Sequence, residues 1–171
     1  MRERDKKMDF LRQHTDYAFR LLVALAQAPG KAISTRALAS EGSVPYQFAS
    51  KIMQKLHEQG LVESVMGPFG GFRLARPAEK VTLLEIIEAV QGPVVVNTCL
   101  LGQDTCQRRN ICPVRNKLES LQETMVDYLR SVTLADMVAD GVELAKQSKK
   151  EIKIKNENQK PGQSRSFGKS R

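Results

Sequence analysis

Long apolar runs are missing from this 171-residue sequence: Leu21–Ala26 is among the longest, and polar residues end it far short of what a bilayer crossing needs, roughly 20 residues. The first ten residues are charged where a secretory segment would be apolar, so the reading is a cytoplasmic protein with no membrane partner. There is no phosphate-binding P-loop and no evident nucleophile, base and orienter set, so catalysis is not expected and the chain is read as a non-enzyme. Internal repeats are absent as well. Cysteine is scarce: the three residues Cys99, Cys106 and Cys112 cannot all pair within one chain, which argues against a disulfide scaffold.

What is present starts with 41% apolar residues, enough for one or two small cores in a compact domain with appendages, but not for a large multidomain enzyme. The formal charge of +8 is unevenly spread. Residues 146–171 hold nine Lys or Arg against Glu151 and Glu157, a net +7, which leaves 18 basic and 17 acidic groups, a net +1, on the other 145 residues. Any nucleic-acid face on the folded part must therefore come from local arrangement and not from bulk charge. The segment 146–171, with Pro161, Gly162, Gln163 and Ser164 and little apolar spacing, reads as a basic disordered tail able to add non-specific phosphate attraction or solubility.

Apolar residues Phe19, Leu22, Val23 and Ala26 recur at helical spacing, predicting a helix from about Thr15 to Gln27 that stops at Pro29-Gly30. Ser34 or Thr35 can cap a short helix through Ala39, and Glu41 to Ser43 supplies a tight turn. A third helix is expected from about Pro45 to Gln59, with Phe48, Ile52 and Leu56 facing the core. Leu61–Val65 and Gly71–Leu74 then read as strands joined by the glycine-relaxed tip Met66-Gly67-Pro68-Phe69-Gly70. Thr82 with Glu85 forms a capping box for a helix closing at Gly92. From Val114, the spacing of Leu118, Leu121, Met125 and Leu129 predicts a longer helix with a short helix-helix seam suited to a second copy of the chain. A short terminal helix is expected over Thr133–Val142.

The fold expected is thus mainly α with a small β-hairpin: a winged helix-turn-helix plus a long dimerisation helix. Its parts are 10–92 for DNA binding, 93–113 for the cysteine loop, 114–145 for the dimerisation and terminal helices, and 146–171 for the tail. An α-helix fits the major groove if its outer face carries donors and acceptors of suitable reach. The third helix offers Tyr46, Gln47, Ser50, Lys51, Gln54 and Lys55 on that face, where the amides and hydroxyl can select bases and the lysines can reach phosphate or guanine. Arg36 and the wing's Arg73 are phosphate candidates. Gly70 at the wing tip serves either to make the turn or to let backbone approach a narrow groove. His57 reads as a surface or phosphate-contacting residue. Two such units on a symmetric homodimer would prefer a roughly palindromic double-stranded operator.

The cysteines form C-x6-C-x5-C, unlike the tight C-x2-C pairs of zinc fingers and bacterial ferredoxins. Spacing alone leaves a cluster, zinc, redox thiols and inert cysteines all open. The order of motifs is more specific. His14-Thr-Asp-Tyr-Ala-Phe-Arg20, Val44-Pro-Tyr-Gln-Phe48, Gly60-Leu-Val62, Gly67-Pro-Phe-Gly-Gly-Phe-Arg-Leu74, Thr82 to Val90, the three cysteines and Thr133-Leu-Ala-Asp-Met137 together resemble the bacterial winged-helix iron-sulfur regulators over residues 10–142.

The resemblance implies that Cys99, Cys106 and Cys112 ligate an iron-sulfur cluster and that the helix after the loop dimerises. In one branch of that family a histidine three positions after the last cysteine is the fourth ligand. Here that position is Arg115, which has no lone pair to give. In the nitric-oxide-sensing branch the ligand is an acidic residue of the partner subunit's first helix, which maps onto Asp16, with His14 a second choice. The resemblance to that branch favours [4Fe-4S], with [2Fe-2S] as the alternative. The function implied is a dimeric, sequence-specific DNA-binding regulator, a repressor, whose affinity is set by a cluster responding to nitric oxide, redox or iron status. The alternatives are a regulator of iron-sulfur cluster biogenesis or iron homeostasis, and a cluster-free thiol-responsive DNA-binding protein.

Overall fold

The computed structural model describes residues 10–102 and 108–158, apart from the side chains of 109 and 151–158. Six α-helices, one hairpin and three single 3-10 turns make up the regular structure among these residues: α1 Gln13–Ala26, α2 Thr35–Glu41, α3 Tyr46–Glu58, β1 Val62–Val65, β2 Gly71–Leu74, α4 Leu83–Gln91, α5 Pro113–Ser131 and α6 Leu134–Asn158, with the 3-10 turns at Ala78–Lys80, Thr98–Leu100 and Arg109–Ile111. The fold is mainly α with a small antiparallel hairpin, and its order of helix, short helix, turn, helix and hairpin is that of a winged helix-turn-helix. The chain divides into two compact units, Met1–Val138 and Ala139–Arg171.

The first unit is built round α1. Ala18, Leu21, Leu22, Ala24 and Leu25 are buried, with Phe19, Val23 and Ala26 partly buried against the same cluster, so this helix is enclosed on most sides. Leu38 of α2, Ile52, Met53 and Leu56 of α3, Val62 of β1, Ile86 of α4 and Leu134 of α6 close on it. Ser34 caps α2 by accepting the Ala37 N–H at 3.2 Å, and Ser43 takes a left-handed φ of 52° in the turn before α3. In α3 the buried stripe is Ala49, Ile52, Met53 and Leu56. Phe48, expected in the core, is instead 39% exposed and lies against His14 and Tyr17 of α1, with ring centroids 5.4 and 5.9 Å away. Spacing of four alone drifts round a helix, whereas the i, i+3, i+4, i+7 set stays on one side.

The hairpin pairs Val62 with Leu74 through Val65 with Gly71, and an added bridge between Ile33 and Phe72 carries the chain before α2 onto its edge. That bridge needs a glycine next to it. A Cβ on Gly71 would meet the Ile33 carbonyl oxygen at 2.2 Å.

Two capping boxes stand side by side beyond the wing. Thr82 and Glu85 cap α4 reciprocally, and Thr133 and Asp136 do the same for α6, with the Asp136 N–H donating to Thr133 Oγ1 at 3.2 Å and Asp136 Oδ2 accepting from the Thr133 N–H at 2.9 Å. A bridge between Thr82 and Thr133 joins the two starts, through Leu83 N–H to the Val132 carbonyl at 2.9 Å and Leu134 N–H to the Val81 carbonyl at 2.8 Å.

Residues 139–158, in the second unit, continue α6. The short terminal helix and the disordered reading of 146–158 are both corrected here: no Gly or Pro interrupts 142–158, and its Lys, Glu, Gln and Ala residues lose little side-chain freedom in a helix. Lys146 also reaches Glu143 at 3.6 Å. Residues 159–171 of the expected tail lie outside the described part. Among the described residues no helix is long and apolar enough to cross a membrane.

Candidate nucleic-acid interface and cysteine arm

The buried stripe of α3 fixes which of its residues look outward. On a wheel of about 100° per residue, Gln47, Lys51 and Gln54 point within about 30° of the direction opposite that stripe, while Ser50 and Lys55 lie about 70° to either side. Gln47, Lys51 and Gln54 are exposed and Ser50 is half-buried, so two amides, a hydroxyl and an ammonium share one ridge. Its chemistry suits base edges and phosphates.

The other predicted contacts have partners of their own. Arg36 of α2 stacks over the Tyr46 ring, 5.8 Å from its centroid, placing a cation at the α3 start. Lys55 donates from Nζ to the Val90 carbonyl at 2.8 Å, where it closes the end of α4. Arg73 is paired with Glu63 directly across the hairpin, 2.6 Å apart. His57 is bonded through Nδ1 to the Val62 carbonyl at 3.0 Å and lies edge-on to Phe72, which fastens α3 to the wing.

At the wing tip, a Cβ on Gly70 would sit 2.4 Å from the Val65 carbonyl oxygen and 2.8 Å from that of Gly67, so the turn itself demands glycine there. Beside it Met66 and Phe69 are almost wholly exposed.

The end of α4 is a junction. Besides the Lys55 bond at Val90, Gln91 Oε1 accepts from the buried Thr15 hydroxyl at 2.8 Å and from the Arg12 N–H at 3.3 Å, while its Nε2 donates to the Phe10 carbonyl at 3.3 Å. One glutamine therefore ties down the start of α1. Asp16, one residue beyond Thr15, pairs with Arg20 at 2.7 Å, both side chains being about half exposed.

From Gly92 the chain runs as an arm along α5. Val94 is buried with Leu84, Ile87 and Leu129 in a second, smaller cluster. Gln122 clasps the arm by donating from Nε2 to the Val94 carbonyl at 2.7 Å and accepting the Val96 N–H on Oε1 at 2.8 Å. Cys99 sits in the 3-10 turn Thr98–Leu100, closed by Asn97 Oδ1 accepting the Cys99 N–H at 3.1 Å. Arg115, 7% exposed, donates from Nη1 to the Cys99 carbonyl and pairs through Nε with Glu119 at 2.8 Å. Cys112 is the residue that precedes α5, and both thiol residues are half-buried. Cys106, the third expected ligand, lies outside the described residues. Among the described residues no three His, Cys, Asp or Glu side chains gather as a metal site.

Arg115, Gln122, Val126 and Leu129 form the inner stripe of α5. Of the predicted seam, Leu129 instead turns inward and is buried against Leu84, Ile87 and Val94, while Val114, Leu118, Leu121 and Met125, with Tyr128 beside them, lie about a quarter turn away from the inner stripe. Of these Val114 and Tyr128 are 62% and 65% exposed, leaving an apolar strip uncovered by the chain itself. Spacing alone put Leu129 on the seam, because the cluster that buries it is made by distant residues, and it missed the clasps. A signal existed, since Arg115 and Gln122 fall on the same side as Leu129, where polar residues need partners.

Comparison with known proteins agrees with this architecture. A protein of Aquifex aeolicus described as an HTH-type transcriptional regulator is 32% identical over 124 residues, 71% of this chain and 86% of that one. The solved structure of CymR, the global cysteine regulator of B. subtilis, is similar with a TM-score of 0.60 and 21% identity, over 77% of this chain and 98% of that one. T. potens IscR is similar with a TM-score of 0.60 and 23% identity, over 77% and 87% of the two chains. The Rrf2 family model, described as an iron-dependent transcriptional regulator, matches residues 11–140. With a winged helix-turn-helix ahead of a cysteine arm, and most of its length matched by that model, the chain belongs to the Rrf2 family of transcriptional regulators, DNA-binding proteins and not enzymes.

Proposed function

We propose that the chain is a homodimeric, sequence-specific regulator whose operator affinity follows iron-sulfur status, through a cluster held by Cys99, Cys106 and Cys112. The observation carrying this reading is that Cys112 directly precedes α5 while Arg115, in the first turn of that helix, bonds the Cys99 carbonyl, and that the apolar strip of the same helix calls for a second copy. Two α3 ridges related by a twofold axis would read a roughly palindromic site.

The donor chemistry suits a cluster. Cys99 and Cys112 are part-exposed sulfur donors, the guanidinium of Arg115 stands at the Cys99 carbonyl, and the positive end of the α5 dipole lies at Cys112. Three thiolates on an iron-sulfur core carry excess negative charge that such a setting favours. When bound, the group would supply iron that is lost, oxidised or nitrosylated in response to conditions. Asp16 of the partner subunit is the proposed fourth ligand. Its Arg20 pairing is surface-exposed and therefore weak, so the carboxylate can be released to iron. A carboxylate is a harder ligand than a thiolate, which leaves that corner the most labile. The iron-dependent description of the family favours iron or cluster status over nitric oxide as the signal.

Anaerobic purification tests this. The wild-type protein should hold iron and sulfide in near-equal amounts, and serine at Cys99, Cys106 and Cys112 together should abolish both while leaving a folded DNA-binding dimer. Iron content unchanged by the triple substitution would contradict the ligand assignment. On DNA selected by the protein from random duplexes, Gln54→Ala should cost about 1–3 kcal/mol and relax preference at one position, whereas Lys51→Ala should weaken all sequences alike and reduce the salt slope by about 1.

A second reading has its own support in the similarity to Staphylococcus aureus CymR, which has been solved in an oxidised form. In that reading the thiols respond directly. A colourless, iron-free dimer whose DNA binding still changes with a thiol oxidant would favour it.

A further inference from the structure

We propose that Arg115 is a positioning residue that makes the first turn of α5 a common platform for two of the thiols. Cys112 is placed by the start of the helix, where Pro113 occupies the first position. Cys99 comes 13 residues earlier, in a separate turn. The Arg115 fork connects that turn to α5. One donor goes to the Cys99 carbonyl, and another to Glu119 one helical turn on.

A buried guanidinium is costly unless its donors are used, so this cation is retained where it makes both bonds. Lysine, with one point-like ammonium, lacks the planar fork that serves the two acceptors from separate nitrogens here. Gln122, seven residues along on the same side, holds Val94 and Val96. The arm is thus stitched to α5 at two levels, and the Cys99 backbone is set relative to Cys112 before anything binds the sulfurs. Such preorganisation removes ordering cost from ligand assembly, and it makes any shift of α5 carry both thiols together. What the thiols bind rests on the function proposed above; the platform does not.

The test uses the full-length, reduced, iron-free protein and the rates at which iodoacetamide alkylates Cys99 and Cys112, followed by mass spectrometry. In Arg115→Gln the loss of a charge-assisted bond should speed Cys99 alkylation about tenfold and change Cys112 by less than about twofold. Arg115→Lys, keeping the charge without the fork, should recover less than half of the protection. Equal Cys99 rates in wild type and Arg115→Gln, or full recovery by Arg115→Lys, would overturn the proposal. Circular dichroism checks the fold. Should Arg115→Gln fail to fold, Glu119→Gln frees the guanidinium while retaining it and should accelerate Cys99 about threefold; no acceleration there overturns the proposal too. After anaerobic reconstitution, Arg115→Gln should lose iron to a chelator faster than wild type. If wild type takes up no iron while the alkylation pattern holds, the cluster reading fails and the platform stands.

Discussion

The winged half and the cysteine arm are held by different forces. Around α1 the structure closes on a large set of fully buried aliphatic residues, including Leu21, Leu22, Leu38, Met53, Leu56 and Ile86, whose attraction is non-directional and spread over many contacts. Among the described residues the arm and α5 share the small cluster of Leu84, Ile87, Val94 and Leu129, and the single side chains of Gln122 and Arg115 add directional bonds to the arm's backbone. The contrast teaches where a signal can act. A distributed core resists change until it fails as a whole, while an element tied by two side chains can be released locally at modest cost. The end of α4, bonded to α3 through Lys55 and to α1 through Gln91, is where the two regimes meet.

The largest effect should come from the distributed side. Leu22→Ala should lower global stability by about 2–5 kcal/mol in urea unfolding, with every amide losing protection together. A loss confined to α1 would break the comparison. Gln122→Ala should cost about 1–2 kcal/mol, seen in hydrogen exchange as faster opening of residues 94–99 while the α1 amides stay protected. Opening that spreads to α1 would show that the arm is no separate unit.

The smallest effect belongs to a polar bond inside the winged half. Burial pushes the Glu85 carboxyl up, but the Thr82 N–H, the Arg76 guanidinium and the Thr82 hydroxyl outweigh it and hold the group below its ordinary value. Its contribution is therefore present above the unfolded carboxylate value and is lost as pH falls through the lowered folded value. Glu85→Gln should remove about 0.5–1 kcal/mol at neutral pH, a part-exposed capping interaction being screened by solvent, and should flatten stability against pH in the acid range. An acid-range pH dependence unchanged in Glu85→Gln would assign it to other carboxylates.

Local grammar made most of the fold legible. The Thr82–Glu85 box, the Gly67 to Gly70 tip and the Ser34 cap act over a few residues, and the structure has each where the pattern implies. Phe48 was misread because a large aromatic is the expected core residue, yet whether it is enclosed depends on His14 and Tyr17 more than thirty residues away. The same distance hides the clasps: Gln122 bonds residues 26 and 28 positions earlier, and Gln91 reaches back to Thr15. Lys55 and Arg73 read as DNA contacts from side-chain type, but Val90 and Glu63 occupy their charged groups through contacts that only the tertiary pairing creates. The helix over 146–158 was obscured by its charge, which composition treats as a sign of disorder although the same residues are good helix formers.

The most direct test of coupling between arm and reading helix is operator affinity, measured anaerobically at fixed salt on one preparation before and after a chelator strips its iron. A change of about tenfold or more is predicted, the scale of an ordinary allosteric coupling. Identical affinities while iron falls to zero would contradict it.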